Sequence, residues 1–283
     1  MNQSVSKRIC PAILRWSETA SNLDPVPLDT TSLRLTASTK NFARLRDFKQ
    51  LKSLWCFNIN ARALEHICDC TSLENLFIEG LKSESISSLR KLNNMKVLSI
   101  ETCMTIDSLI EFSSLQSLEG LAIIHFRNVE VLDPLAQLTG LEQLAVAGSM
   151  WTRMKIESLG PLAALRGLKY LDLTNLKAVE ESLRPIGEMT ELELLEIANF
   201  YPMEEFAWLA GRLKGTECTW FKPYIQLPFE CKRCHQRTMV MLSGKGKPKL
   251  CTNCDAERLA RHVAVFEELA NAARHEVRPI LEI

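Results

Sequence analysis

Apolar residues along most of the chain follow a pattern that repeats about every 22 residues. Each copy has the spacing Leu-x-x-Leu-x-Ile or a close variant, as in Leu73, Leu76 and Ile78. Residues two apart on an extended chain share one face, so each copy predicts a short β-strand. The copies begin at residues 30, 51, 73, 95, 118, 141, 168 and 192. One such unit cannot bury its own apolar face, so the pattern predicts stacked units with a shared core.

The second half of each copy has a different apolar spacing. Apolar residues lie nine, six and three positions before the next copy, as in Ile86, Leu89 and Leu92. A spacing of three residues predicts a 3₁₀ segment or a short helical turn. Each unit is therefore expected to contain one strand followed by one turn.

Over residues 28–215 this pattern resembles the leucine-rich-repeat family. The resemblance implies an α/β solenoid of about eight repeats, with parallel strands lining a concave face. It also implies that the protein binds a partner on that face and does not catalyse a reaction. Residues two, four and six positions after each repeat start should point to the concave face.

One feature departs from the family pattern. Many members carry asparagine five residues after the second leucine of the strand, where it bonds the loop backbone. In this chain asparagine occurs one residue earlier, at Asn58, Asn175 and Asn199. We therefore expect apolar side chains to pack this corner in place of an asparagine ladder. The residues at the usual asparagine position are Ile59, Leu81, Cys103, Phe126, Ser149, Leu176 and Phe200.

A change in charge marks a second unit near residues 215–228. Residues 28–215 hold 20 Lys and Arg against 24 Asp and Glu, whereas residues 222–254 hold seven against one. The segment from Thr219 to Tyr224 is expected to cap the open end of the solenoid. The predicted units are an N-terminal cap at 1–27, the solenoid at 28–215, a cap segment with a zinc module at 216–254, and a C-terminal helix at 255–278.

Four cysteines in the second unit have the spacing of a structural zinc site. Cys231 and Cys234 are separated by 16 residues from Cys251 and Cys254. Two such pairs supply the four thiolates of a tetrahedral zinc site, with no position left for substrate. Between the pairs, residues 239–242 and a glycine-containing turn at 244–248 predict a β-hairpin. This segment resembles zinc-ribbon and treble-clef modules.

The predicted hairpin is basic, which leaves two interpretations open. Counterion release would favour contact with nucleic acid, but no aromatic residues are interleaved for base stacking. The alternative is a hairpin that faces solvent or protein. The basic residues are Lys232, Arg233, Arg237, Lys245, Lys247 and Lys249.

The chain after Cys254 predicts one amphipathic helix. Leu259, Val263, Phe266, Ala270 and Ala273 recur at steps of four and three and form one apolar stripe. The stripe is expected to pack within the chain, and a partner helix is the alternative.

The predicted concave face combines aromatic, small apolar and acidic residues. Such a patch is typical of a protein-binding surface, in which Trp and Tyr are frequent anchors. The alternative is that the aromatic residues pack on the N-terminal segment through Leu14 and Trp16. Small apolar positions are Ala122, Ile124, Ala145 and Ala147. The proposed contact residues are Trp55, Phe57, Phe77, Glu79, Glu101, Tyr170, Asp172 and Glu196.

Composition narrows the classes of function. The formal net charge is zero, so no overall field favours nucleic acid or membrane. Ten cysteines without a signal-peptide pattern predict a reducing, cytoplasmic location. The five histidines fit no catalytic motif. The sequence therefore predicts a non-enzymatic protein-binding scaffold. Alternatives are nucleic-acid binding through the hairpin, or a subunit of a larger assembly such as a bacterial defence or toxin-immunity complex.

Overall fold

The computed structural model describes Ile9 and residues 18–276. Eight strands form one parallel sheet in chain order, one strand for each predicted repeat, which confirms the solenoid. A two-stranded sheet, formed by β7 (Met154–Ile156) and β9 (Leu176–Ala178), lies outside it. The strands of the main sheet are β1 (Ser32–Thr36), β2 (Ser53–Asn60), β3 (Asn75–Lys82), β4 (Val97–Cys103), β5 (Gly120–Phe126), β6 (Gln143–Ala147), β8 (Tyr170–Leu173) and β10 (Leu194–Ile197).

The second leucine of every repeat stands in register with its neighbours. Leu54 pairs with Leu33 on one side and with Leu76 on the other, and the series continues through β10. All eight side chains are buried in the core of the solenoid. The ladder consists of Leu33, Leu54, Leu76, Leu98, Leu121, Leu144, Leu171 and Leu195.

Short helical turns follow the strands, as the three-residue spacing predicted. The second repeat has an α-helix instead, α1 (Ala61–Cys68), whose N-terminus is capped by Asn60 Oδ1 accepting from the Ala63 N–H at 2.9 Å. Its Leu64 and Ile67 are buried against the strands. The 3₁₀ turns are Phe42–Asp47, Ser87–Lys91, Ile110–Ser114, Asp133–Gln137, Gly160–Ala164 and Arg184–Glu188.

The corner after each strand is packed mainly by apolar side chains. Ile59, Leu81, Cys103, Phe126 and Leu176 are all buried, as expected from the missing asparagines. The displaced asparagines do not form a ladder along the solenoid. One of them still bonds a neighbouring loop, because the Asn175 side chain donates to the Ser149 carbonyl at 2.6 Å.

Both open ends of the sheet are covered by segments outside the repeats. At the first strand, Thr19 pairs with Arg34, and the Ala20 N–H donates to the Arg34 carbonyl. At the last strand, Glu217 pairs with Leu194. The Trp220 indole N–H donates to the Ile197 carbonyl at 2.9 Å, and its ring is buried. The segment from Thr219 to Tyr224 therefore contributes to the cap that the sequence predicted.

Two helices close the C-terminal end of the solenoid. The helix α2 (Met203–Arg212) was not predicted, and the helix α3 (Ala256–His275) was. These helices pack closely, because a Cβ at Gly211 would lie 2.1 Å from the Ala270 carbonyl oxygen. Leu259, Phe266, Ala270 and Ala273 of the predicted stripe are buried, and Val263 is half-buried. Residues 277–278 of the predicted helix lie outside the described residues.

The second unit contains the predicted hairpin and docks on the last repeat. Its sheet comprises β11 (Tyr224–Gln226), β12 (Met239–Leu242) and β13 (Lys249–Cys251), all antiparallel. The Asn199 amide nitrogen donates to the Leu242 carbonyl at 3.0 Å, and its oxygen accepts from the Gly244 N–H at 2.7 Å. The Lys245 N–H donates to the Tyr201 carbonyl. Asn199 therefore joins the hairpin to the solenoid.

Candidate binding face and metal centre

The concave face carries an aromatic cluster on its first strands. Trp55 in β2 stacks against Phe57 at a centroid distance of 6.1 Å and against Phe77 of β3 at 5.3 Å. The Arg34 guanidinium lies 4.5 Å from the centroid of the Phe57 ring. The structure thus brings the three predicted aromatic residues together, because parallel register places them on neighbouring strands.

The exposure of these aromatic residues differs from the prediction. Trp55 is 1 % exposed and Phe77 is 2 % exposed, whereas Phe57 is half-buried. Ser99, which pairs with Phe77 across β3 and β4, is also buried. Trp55 and Phe77 were predicted to be exposed anchors, but their rings are not accessible to solvent in this structure. Leu14 and Trp16, the alternative packing partners, lie outside the described residues.

Acidic residues lie side by side at two places on the same face. Glu79 pairs with Glu101 across β3 and β4, and Asp172 pairs with Glu196 across β8 and β10. Each pair therefore places two carboxyl groups next to each other on adjacent strands, where like charges repel. The Tyr170 hydroxyl lies 2.6 Å from Glu193 Oε2, at the edge of this region.

Asp172 is the most deeply buried of the predicted acidic residues. It is 3 % exposed, and one carboxylate oxygen accepts from the Thr174 N–H at 2.7 Å. Burial raises the pKa of the Asp172 carboxyl, and the bond from Thr174 opposes this shift only in part.

A small apolar cluster lies on the concave face, separate from the solenoid core. It contains Ala122, Ala145 and Leu194, with Val97 and Ile124 packed against it. The remaining buried member is Ile9, which is 2 % exposed and comes from outside the repeats. A Cβ placed on Gly120 would lie 3.9 Å from Ile9 Cγ2, an ordinary van der Waals distance, so Ile9 lies directly beside Gly120 of β5. The alanines were predicted to lie on the concave face, but Ile9 was not.

The four predicted cysteines converge at one point in the second unit. All four sulfur atoms lie within 4.8 Å of one another, with Cys231 and Cys254 at 3.9 Å and Cys234 and Cys251 at 3.7 Å. A tetrahedral zinc ion with Zn–S distances of about 2.3 Å would place its sulfur ligands about 3.8 Å apart. The two shorter sulfur distances match this value, so the cluster could hold a four-thiolate metal ion.

Backbone N–H groups around the cluster favour the thiolate forms that bind metal. Donation from the Cys254 N–H, with the Thr238 hydroxyl beside the sulfur, lowers the pKa of Cys251 to about 6. The N–H groups of Cys234 and Arg233 lower the pKa of Cys231. The backbone thus favours the thiolate forms of Cys231 and Cys251, whereas burial raises the pKa of Cys254.

The basic residues of the second unit are largely engaged with acidic or aromatic neighbours. Lys245 pairs with Glu181 of the solenoid, Arg233 pairs with Asp255, and Arg237 lies 3.6 Å from Glu230. The Lys249 ammonium lies 5.7 Å from the centroid of the Phe229 ring. Among the described residues, Lys232 and Lys247 have no ion pair. Four of the six predicted cations thus take part in contacts within the chain.

The histidines take structural positions. His125 has a left-handed backbone with φ of 57° at the end of β5, and His262 Nε2 lies 2.8 Å from the Pro223 carbonyl. In the part of the chain that the structure describes, no histidine side chain bonds a Ser, Thr or Cys side chain. No described helix is long and apolar enough to span a membrane.

Comparisons with known proteins identify the fold of the solenoid. No protein-family model and no curated protein matches the chain. An LRR protein of Leptospira interrogans has a similar structure, with 18% identity, a TM-score of 0.53, and coverage of 71% of this chain and 52% of that one. Two internalins of Listeria monocytogenes are also similar, each with a TM-score of 0.47. Internalin C2 is 20% identical over 60% of this chain and 75% of its own. The other, InlF, is 17% identical over 65% of this chain and 58% of its own.

These solved structures differ from the chain in length. The chain spans about half of the Leptospira protein and 58% of InlF. The similarity concerns the repeated strands and turns that were predicted from the 22-residue pattern. The chain therefore has a leucine-rich-repeat fold, followed by a small antiparallel unit whose four clustered cysteines could hold a metal ion.

Proposed function

We propose that the protein is a non-enzymatic binding scaffold that captures a protein partner on the concave face of its solenoid. The observation that carries this proposal is the composition of that face. Stacked aromatic rings, a patch of small apolar residues and adjacent carboxylates occupy neighbouring strands. Interfaces commonly combine such apolar anchors with charged residues that select the partner.

The fold favours binding over catalysis. The strands hold the concave side chains at fixed spacings of about 4.8 Å, which suits recognition of an extended partner segment. Among the described histidines, His262 contacts the Pro223 carbonyl and His125 ends β5, and no hydrogen bond joins a described histidine to a Ser, Thr or Cys side chain. The concave face is therefore the best candidate for the functional surface.

Charge reversal on the concave face tests this proposal. The full-length tagged chain is used to capture partners from the native host, with nuclease present. The double change Glu101→Lys and Glu196→Lys is expected to reduce recovery of a stoichiometric protein at least tenfold. Glu130→Lys with Glu157→Lys is the matched control, since both residues are exposed outside the main sheet and the change in net charge is the same. Equal recovery by the two double variants would sink the concave-face proposal.

We also propose that the four cysteines bind one structural zinc ion. The sulfur distances and the lowered pKa values of Cys231 and Cys251 support this choice. A zinc ion with four thiolates has no position for water or substrate, so its role would be to hold the loops together. Cys231 and Cys234 would supply one pair of ligands, and Cys251 and Cys254 the other.

A reducing, cytoplasmic location is part of the same proposal. Among the described residues, nine cysteines are unbridged thiols, and those of the solenoid are buried. Unbridged thiols in such number suit a compartment that keeps cysteine reduced. The internal contacts of Lys245, Arg233 and Arg237 give the nucleic-acid alternative less support than protein binding.

A further inference from the structure

Residues 1–17, here named the leading segment, precede the solenoid. We propose that this segment is the resident occupant of the concave face, and that a partner binds by displacing it. The proposal rests on the concave-face function proposed above and specifies its partner. That partner would present a short segment with one aliphatic anchor beside cationic residues.

The first observation is the position of Ile9. Its side chain is 2 % exposed and belongs to the apolar cluster of Ala122, Ala145 and Leu194 on the concave face. Ala122 and Ala145 lie on β5 and β6, so this aliphatic side chain packs over the middle of the solenoid. Ile9 lies beside Gly120 of β5 and shares its buried cluster with the two alanines, so a branched aliphatic side chain packs on small residues of this face.

The second observation is the path between two fixed points. Thr19 pairs with β1, and Ile9 lies beside Gly120 of β5. Four strand spacings separate β1 from β5, or about 19 Å. The ten residues from Ile9 to Thr19 can span about 33 Å when extended. The same chain can therefore reach the cluster, and the direct path crosses β2, β3 and β4.

The third observation is burial along that path. Trp55 of β2, Phe77 of β3 and Ser99 of β4 are exposed by 1 %, 2 % and 2 %. All three are on the concave side of the sheet, opposite the leucine ladder. A large aromatic ring on the concave face of the sheet is this inaccessible only when another part of the protein packs over it. The proposed occupant would supply cover at these strands.

The fourth observation is complementary charge. The leading segment contains Lys7, Arg8 and Arg15 and no acidic residue. The concave face presents Glu79 beside Glu101 and Asp172 beside Glu196. Cations next to an aliphatic anchor match carboxylates next to an apolar cluster, which favours this occupant over an acidic one.

Cutting the leading segment from the folded full chain tests the proposal. A site for a specific protease is inserted between Ser17 and Glu18, and the whole protein is purified before cleavage. A fluorescent peptide of residues 1–17 is then titrated into the cleaved, washed protein, and its anisotropy is measured. We expect micromolar binding, at least tenfold weaker for an Ile9→Asp peptide and little changed for Ile9→Leu. Circular dichroism before and after cleavage verifies the fold.

The outcomes separate this inference from the proposed function. Absence of peptide binding, or equal binding by the wild-type and Ile9→Asp peptides, would overturn the resident-occupant proposal without involving any partner. In the capture experiment, full-length Ile9→Asp should recover at least threefold more partner than wild type. Equal recovery would contradict displacement. Loss of capture in the Glu101→Lys, Glu196→Lys variant reports on the concave-face function itself.

Discussion

At the residue scale, one backbone conformation recurs at the end of the concave strands. The residue seven positions after the repeat start is left-handed at Asn58, Gly80, Thr102, His125 and Asn175, with φ between 50° and 82°. Glycine and asparagine adopt this region readily, and threonine does not. Two of the displaced asparagines, Asn58 and Asn175, thus have a conformational role. A single sequence could not indicate this role, because Thr102 and His125 obscure the pattern.

The buried carboxyl of Asp172 gives a pH-dependent prediction. Its folded pKa is raised by burial, so the folded state favours the neutral form more than the unfolded chain does. The neutral carboxyl therefore contributes stability at pH values below the pKa that Asp172 has in the unfolded chain. This contribution is lost as pH rises through the higher pKa that it has in the folded protein. Asp172→Asn keeps an oxygen for the Thr174 N–H and removes the charge, so it should stabilise the protein most at neutral pH.

Denaturant midpoints across a pH series check this prediction. The difference between Asp172→Asn and wild type should be small near pH 3.5 and should grow as pH rises above the ordinary carboxyl pKa of 3.8. Glu196→Gln is a useful control, because it removes a neighbouring charge that is only half-buried. A difference that shrinks with rising pH would contradict a raised pKa at Asp172.

At the element scale, periodicity in the sequence predicted the strands and turns well. The leucines of the ladder recur at nearly constant spacing, so strand position and register followed from Leu33 to Leu195. The helix α2 was not predicted, because residues 28–215 were assigned to the solenoid as a whole. Its start is marked by Pro202 followed by Glu204 and Glu205, a signal of a helix N-terminus that could have identified it.

The close contact of α2 and α3 makes Gly211 sensitive to enlargement. A Cβ there would lie 2.1 Å from the Ala270 carbonyl oxygen, so Gly211→Ala must separate the helices. Overpacking of this kind typically costs 1–3 kcal/mol, and we expect about 2 kcal/mol in the unfolding of this end. Gly215→Ala is the matched control, since no atom lies within 4 Å of its added Cβ. Hydrogen exchange in α3 should increase for Gly211→Ala alone, and unchanged protection would contradict the contact.

Metal removal should loosen the second unit and leave the solenoid folded. Zinc analysis is expected to give one ion per chain. The double variant Cys231→Ser, Cys254→Ser should retain only a small fraction of that zinc. The hairpin and the start of α3 should then lose protection from exchange, because zinc would supply on the order of 10 kcal/mol to folding. Cys103→Ala is the control, as this thiol is buried in the solenoid away from the cluster. Wild-type protein without bound zinc and with unchanged protection would rule out the structural ion.

At the scale of the whole molecule, the sequence indicated which residues lie on the candidate face but not whether their side chains are accessible. The four-cysteine site was predictable because its ligands are close in sequence and their spacing is typical of a metal site. The concave residues were also predictable from repeat position. Burial of Trp55 and Phe77 was not, because repeat position indicates which face a side chain lies on but not what packs over it. Ile9 has no sequence signal that distinguishes it from other isolated apolar residues.

The whole-molecule arrangement also limits the nucleic-acid alternative. Lys245 contacts Glu181 across the junction between the hairpin and the solenoid, so this cation contributes to docking. Asn199 fixes the same junction through two hydrogen bonds. The hairpin is therefore held against the end of the solenoid.

Photo-crosslinking from defined positions tests the concave-face function most directly. A benzophenone amino acid replaces Phe57 or Tyr170 on the concave face, and Val179, 72 % exposed beyond the main sheet, serves as the control position. Irradiation in the native host is followed by mass spectrometry of the adducts. Concave-face binding predicts one protein crosslinked at Phe57 and Tyr170 and absent at Val179. Adducts of equal yield at all three positions, or none at the two concave positions, would contradict it.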